Sequence, residues 1–209
     1  MNTEQIKDFG ECFIDGIQII TIIGEIEGHE ESSGSSKATK YEHLLPMLAA
    51  FDETCDIKGI LFIINTIGGD VSCGLALAEM ISGLKTPTAS FIIGDSHSIG
   101  VPLAVATDFS CIVPTATMIL HLVRMNGMIL GAPQSYDQFQ KIQARIVEFI
   151  VRKREITRER VEELMMNTSM FAKDLGTLLV GEQAVKEGLV DTVGTLSDVM
   201  EYLKKQREV

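Results

Sequence analysis

The chain has 209 residues, 45% of them hydrophobic and 22% charged, and a formal net charge of -11. That length and composition support one domain with a sizeable core. The acidic balance weighs against a surface that neutralises nucleic-acid phosphates or adheres to anionic lipid, both of which need clustered Lys and Arg.

The first residues, MNTEQIKDFGE, lack a basic segment followed by an apolar one. No later run approaches the ~18 apolar residues of a membrane span, so a cytoplasmic location is expected. Residues 16–26 are rich in Ile, the composition of a buried strand. Residues 28–40 (GHEESSGSSKATK) read as a flexible polar loop. A helix is expected over 41–51, with Leu44, Leu45, Leu48 and Phe51 on one side and Pro46 tolerated near its first turn. Residues 59–65 (GILFIIN) form a continuous apolar run, the pattern of a strand buried on both faces. Gly68-Gly69 follows as a turn. A helix over 71–84 then carries Leu77, Met80, Ile81 and Leu84 on one face, and Pro87 stops it.

A strand over 88–94, a short buried helix over 99–106, and strands over 109–113 and 115–123 come next. A long helix runs from 134 to about 154, its apolar stripe made of Tyr136, Phe139, Ile142 or Gln143, Ile146 and Phe149. Shorter helices are expected over 158–166 and 182–187, the latter ended by Gly188, and a last one follows Ser197 as N-cap. Strands alternating with helices predict an α/β fold with parallel strands and covered faces. Cys12, Cys55, Cys73 and Cys111 include no C-x-x-C pair and sit in or beside apolar stretches, so reduced, buried thiols are expected. His29, His43, His97 and His121 have no metal-ligand spacing. No metal or organic cofactor is expected.

Three features carry chemistry. Gly68-Gly69 directly follows a buried strand, so the backbone there turns sharply and approaches a ligand closely. Ser98 lies in Gly94-Asp95-Ser96-His97-Ser98-Ile99-Gly100, between a strand and an apolar helix, where free N–H groups favour a developing oxyanion. His121 ends the apolar run Thr117-Met118-Ile119-Leu120. Taken singly, each has a plainer reading: a strand-to-helix turn, a helix cap made by Ser96 or Ser98, and a packed core histidine.

Together they resemble the ClpP family of self-compartmentalised serine peptidases. Ser98 lies 29 residues after Gly69, the family's spacing from its second glycine to its nucleophile. The frame Gly94-x-x-x-Ser98-Ile99-Gly100 matches the family's Gly-x-x-x-Ser-Met-Gly, with Ile in place of Met. Ile119-Leu120-His121 matches the strand that carries the family's base, and Gly188-Leu189-Val190-Asp191 matches its late motif. A translocation-enhancing, TepA-type branch is similar in two further signatures, Lys40-Tyr41-Glu42-His43 and the run from His97 to Pro102.

The resemblance implies a ClpP/crotonase-like fold of ββα-type repeats, with a protruding strand-helix handle at about 125–154. It implies a serine endopeptidase acting on peptides or unfolded segments, linked through the TepA-type branch to precursor processing in export. Ser98 would be the nucleophile and His121 its base. Gly69 and Ile99 would donate the oxyanion-hole N–H groups, with Gly68 at the substrate. It also implies a homo-oligomeric ring, heptameric or stacked, and an ATPase partner.

The pattern breaks at the third catalytic position. Gly176 stands where the family has its Asp, and a glycine cannot orient an imidazole. Asp174 lies two residues earlier as a weaker substitute. Lys141, on the long helix, is an alternative base only if desolvation lowers its pKa; as a solvated helix residue it plays no part. Loss of the acid leaves two competitors to the peptidase: a catalytically weak, peptide-binding or translocation-associated scaffold, and an acyl-CoA enzyme of the crotonase type. The latter has no need of Ser98 and His121 in peptidase spacing.

Overall fold

A computed structural model describes residues 10–29, 37–124, 132–167 and 176–206. Among them nine strands form one sheet and seven helices pack around it. The strands are β1 (Glu11–Ile14), β2 (Ile17–Ile26), β3 (Ala38–Thr39), β4 (Gly59–Gly69), β5 (Thr88–His97), β6 (Phe109–Ile112), β7 (Thr117–Leu120), β8 (Thr177–Val180) and β9 (Thr192–Val193). The helices are α1 (Tyr41–Asp52), α2 (Val71–Ser82), α3 (Gly100–Val105), α4 (Ala132–Lys153), α5 (Arg158–Met166), α6 (Glu182–Lys186) and α7 (Leu196–Gln206).

The main path of the sheet runs β1-β2-β4-β5-β6-β9, parallel except for the β1–β2 hairpin; off it, β3 pairs parallel with β2, and β7 pairs parallel with β5 and antiparallel with β8. Parallel strands are covered on both faces by their crossovers, which explains the near-continuous apolar run of β4 and the Ile-rich composition of β2. One face carries Ile20, Ile22, Phe62, Ile64 and Ile92, packed with Leu48 of α1, Leu77 and Ile81 of α2 and Leu103 of α3. On the other, Val199 and Leu203 of α7 bury Ile17, Leu61, Phe91 and Cys111.

One irregularity prepares the site. β5 pairs with β6 from Ala89 to Ile92, then with β7 from Asp95 to His97. Gly94 sits at the change of partner, where a Cβ would lie 2.5 Å from Asn65 Oδ1. That same oxygen accepts the Asp95 N–H at 2.9 Å, replacing a ladder bond where the β4–β5 register shifts. The end of β5 is thereby turned onto β7.

The structure amends several expectations. β1, β8 and β9 were too short to leave an alternating pattern, and Ala38–Thr39 forms a strand within the polar loop. Pro46 lies beyond the first turn of α1. The last helix starts after Thr195, not Ser197: the Thr195 N–H and hydroxyl both donate to Asp198 Oδ2, at 2.7 and 2.8 Å. Cys73 and Cys111 are buried, but Cys55 is exposed and Cys12 only half-buried. Burial pushes the Cys111 thiol up to about 11. In α4, Ile146 and Phe149 enter the core as expected, whereas Tyr136 is exposed. The first half of α4 thus stands away from the core; residues 125–131 of the expected handle lie outside the described residues.

Asp191 of the late motif locks the sheet edge. Its Oδ2 accepts from the Ser110 N–H and hydroxyl, both at 2.7 Å, and from Arg154 Nη1 at 2.8 Å. The Arg154 side chain is only 8% exposed. Hydrogen bonds to a charged group contribute more than neutral ones, and removing one partner strands the others. Asp191→Ala should therefore lower unfolding free energy in urea by about 2–3 kcal/mol, whereas Lys186→Ala, which removes an exposed pair with Glu182, should leave the midpoint unchanged.

Candidate active site

The C-terminal ends of three parallel strands converge. β4 ends at Gly69, β5 at His97 and β7 at Leu120. Ser98 and His121 each follow directly on their strand. Their separation is fixed by the pairing of His97 with Ile119.

Ser98 adopts φ 57°, in the left-handed region that costs a non-glycine residue about 1–2 kcal/mol. The surroundings over-determine it. Its N–H donates to Ile119 O at 2.8 Å, and its carbonyl accepts from the Val101 N–H at 3.1 Å. This sharp strand-to-helix turn presents the side chain at the mouth of α3. Gly68, at φ 96°, explains why two glycines are needed below it: a Cβ there would lie 2.8 Å from Ser98 Cβ and 3.4 Å from Ile99 N. Among the described residues, no acceptor takes the Ile99 N–H.

Ser98 and His121 line one cavity of about 130 Å³ together with Gly69, Leu120, Val123 and Arg124. The sequence-predicted Gly69, Ser98 and His121 are thus brought together. Among the described residues Ser98 Oγ makes no hydrogen bond, so the serine and histidine share the cavity without being joined. Such contacts commonly tighten only when substrate binds. His121 Nδ1 lies 2.6 Å from Leu122 O. A carbonyl oxygen can only accept, so Nδ1 carries the proton and Nε2 keeps its lone pair.

Gly176 lies beside His121, as the alignment implies. Its φ is 138°, and a Cβ would approach Leu120 O to 2.7 Å and His121 Cβ to 2.9 Å. Asp174 lies outside the described residues. Lys141 is exposed on α4 and does not line the cavity.

The residue before the serine was not singled out by sequence. His97 Nε2 lies 2.7 Å from Thr117 Oγ1, which donates its single proton to Asp95 Oδ1 at 3.0 Å. Nε2 is therefore the donor to Thr117. Burial holds His97 below the ordinary histidine pKa; the Asp95 carboxylate opposes this, and the charge of His121 adds to it.

Two predictions follow from this geometry. As pH falls, the unfolded chain protonates at position 97 before the native one does. The His97 contribution is intact above the ordinary value of about 6.5 and is lost as pH drops below it. Urea midpoints measured from pH 7 to 5 should fall more steeply in the native protein than in His97→Gln. Restoring an acid at 176 should fail: Gly176→Asp should cost on the order of 1–3 kcal/mol by thermal denaturation, because the backbone conformation and the Leu120 carbonyl leave no place for a side chain.

A family model described as Clp protease matches residues 30–197, a span that contains the Gly68-Gly69 turn, Ser98 and His121. The chain is 41% identical over 205 residues to the translocation-enhancing protein TepA of Halalkalibacterium halodurans, covering 96% of this chain and 80% of that protein. It is 29% identical over 131 residues to the ATP-dependent Clp protease proteolytic subunit 1 of Chlamydia pneumoniae, which covers 58% of this chain and 69% of the relative. The ATP-dependent Clp protease proteolytic subunit of Leuconostoc citreum is 25% identical over 191 residues, 86% of this chain and 84% of that one. With the α/β sheet and the match of the family model over most of its length, the chain belongs to the Clp protease family.

Proposed function

We propose that the chain is a serine endopeptidase of the ClpP type that hydrolyses peptides or unfolded protein segments. The observation that carries this reading is the single cavity lined by Ser98, His121 and Gly69 where three strand ends meet. In the proposed reaction Ser98 Oγ attacks the scissile carbonyl carbon while its proton passes to His121 Nε2. The carbonyl oxygen becomes negatively charged and takes hydrogen bonds from the N–H groups of Gly69 and Ile99. His121 then returns the proton to the departing amine, which breaks the C–N bond and leaves the acyl group on Ser98. A water deprotonated by the same nitrogen releases that acyl group. Gly68, without a side chain, leaves room for substrate backbone beside the serine.

The proposal extends to the setting. The chain acts as one domain in the cytoplasm, as a subunit of a homo-oligomeric ring, with α4 contributing to the handle and an ATPase supplying substrate. Relatives named as ATP-dependent Clp protease subunits support this assembly. The relative named translocation-enhancing supports a place in precursor processing during export. No described helix is long and apolar enough to cross a membrane.

A second reading is favoured by Gly176 at the position of the family's acid: a peptide-binding, translocation-associated scaffold with little or no catalysis. Hydrolysis of a fluorogenic peptide and of unfolded casein separates the two. The peptidase reading expects turnover that falls by at least about 10³-fold in both Ser98→Ala and His121→Gln, from a particle larger than a monomer by light scattering. Peptide binding without turnover above the Ser98→Ala level would establish the scaffold.

A further inference from the structure

An oxyanion hole made by Gly69 and Ile99 needs N–H groups from two different elements, the end of β4 and the mouth of α3, aimed at one point. One side chain touches the support of both. Thr66, on β4, is completely buried. The strand bulges directly after it: Gly24 of β2 pairs with Thr66 and Glu25 with Gly68, so Ile67 is left without a register partner and is 63% exposed. A bulge interrupts the ladder and re-aims the chain that follows. Here the Thr66 hydroxyl spans the gap. It donates its proton to Gly24 O at 2.5 Å and accepts the Gly68 N–H at 3.1 Å. Beyond the bulge Gly69 pairs with Ile26, and the Asp70 N–H donates to Ile26 O at 3.0 Å. Successive N–H groups of a strand point to opposite edges. With those of Gly68 and Asp70 turned toward β2, the Gly69 N–H between them turns to the other edge, toward Ser98. The methyl group of Thr66 reaches the second donor's element. A Cβ on Gly100 would lie 2.7 Å from Thr66 Cγ2, so the methyl packs against the backbone of the residue that follows Ile99.

We propose that Thr66 is the positioning residue of the oxyanion hole: its hydroxyl aims the Gly69 N–H, and its methyl group seats the start of α3, which carries the Ile99 N–H. The inference rests on the peptidase reading above and names what pre-sets its two donors. Fixed donors stabilise a developing oxyanion because they need no reorientation as the charge forms. A buried side chain whose hydroxyl both donates and accepts supplies that fixity. Thr66→Val would keep the shape and the methyl contact. It would leave the Gly24 carbonyl and the Gly68 N–H buried without the partner that joins them, and the bulge would shift to re-pair them. The Gly69 N–H would turn with it. Thr66→Ser would keep both hydrogen bonds and lose only the methyl contact.

The test uses the full-length protein. Thr66→Val should lower kcat for the fluorogenic peptide by roughly tenfold to a hundredfold with KM little changed, because the donors act on charge that appears only in the transition state. Thr66→Ser should keep kcat to within about fivefold. A peptide boronate bonds through boron to Ser98 Oγ and places an oxygen in the hole. It should bind Thr66→Val more weakly by the factor that kcat falls. Binding of the uncleaved peptide, measured in Ser98→Ala, should be the same with or without Thr66→Val; a merely structural role would weaken both. Hydrogen exchange adds a readout that needs no activity. The Gly68 amide should exchange slowly in the native protein and in Thr66→Ser, and lose that protection in Thr66→Val. An unaltered kcat in Thr66→Val overturns the proposal, as does a loss in Thr66→Ser as large as that in Thr66→Val. A Gly68 amide that exchanges in the native protein as fast as an exposed one overturns it without any variant, so the test stands even if Thr66→Val does not fold. If the native protein neither hydrolyses peptide nor takes up the boronate, the peptidase reading falls. Gly68 exchange in the native protein and in Thr66→Val then still decides whether Thr66 sets this turn.

Discussion

Everything in this site depends on how closely two backbones approach at the end of β4 and β5. The Ser98 turn is left-handed and is tied to β7 by its N–H bond to Ile119 O; Gly68 lies directly under it, with no room for a Cβ. A side chain at 68 would drive the β4 turn away from Ser98 and Ile99, and a relaxed φ at Ser98 would rotate the hydroxyl away from the cavity. The strain at Ser98 persists because the packed sheet holds it from three sides. Ile99 is pinned in turn by α2, where a Cβ on Gly74 would lie 2.4 Å from Ile99 Cγ1.

That packing serves the electrostatics. A hydroxyl becomes a nucleophile only if a base takes its proton and fixed dipoles meet the charge that develops. Parallel strands bring Gly69, Ser98 and His121 to one cavity at their C-terminal ends. His121 Nδ1 is hydrogen-bonded to the Leu122 carbonyl. The Asp95 carboxylate, at the end of β5, is engaged by Thr117 and His97.

The strand-turn-helix order, the parallel sheet and the convergence of Gly69, Ser98 and His121 on one cavity were legible in the sequence, because each depends on local pattern and on spacing along the chain. The strand 59–65 and the helix 158–166 could be read from composition and apolar period alone. What could not be read is what arises across elements. The His97–Thr117–Asp95 cluster forms only because β5 exchanges β6 for β7 midway, and nothing local marks that exchange except Gly94. Gln143 carried a faint signal, as a polar residue competing with Ile142 for a place on an apolar stripe. Its bond from the Val123 N–H needed the segment after β7 to be seen. The start of the last helix at Thr195 was missed for a similar reason: Ser197 has the same chemistry, and only the two bonds that Thr195 donates to Asp198 distinguish them.

The central claim is that Ser98 is an activated nucleophile even though Gly176 replaces the acid. Its most direct test is intact-mass measurement after exposure of the assembled protein to a fluorophosphonate, which bonds covalently to activated serines by displacement of fluoride. The account predicts a single adduct on the native protein, mapped to Ser98 and absent from Ser98→Ala. A folded, assembled sample that stays unmodified, or an adduct that persists in Ser98→Ala, would contradict it.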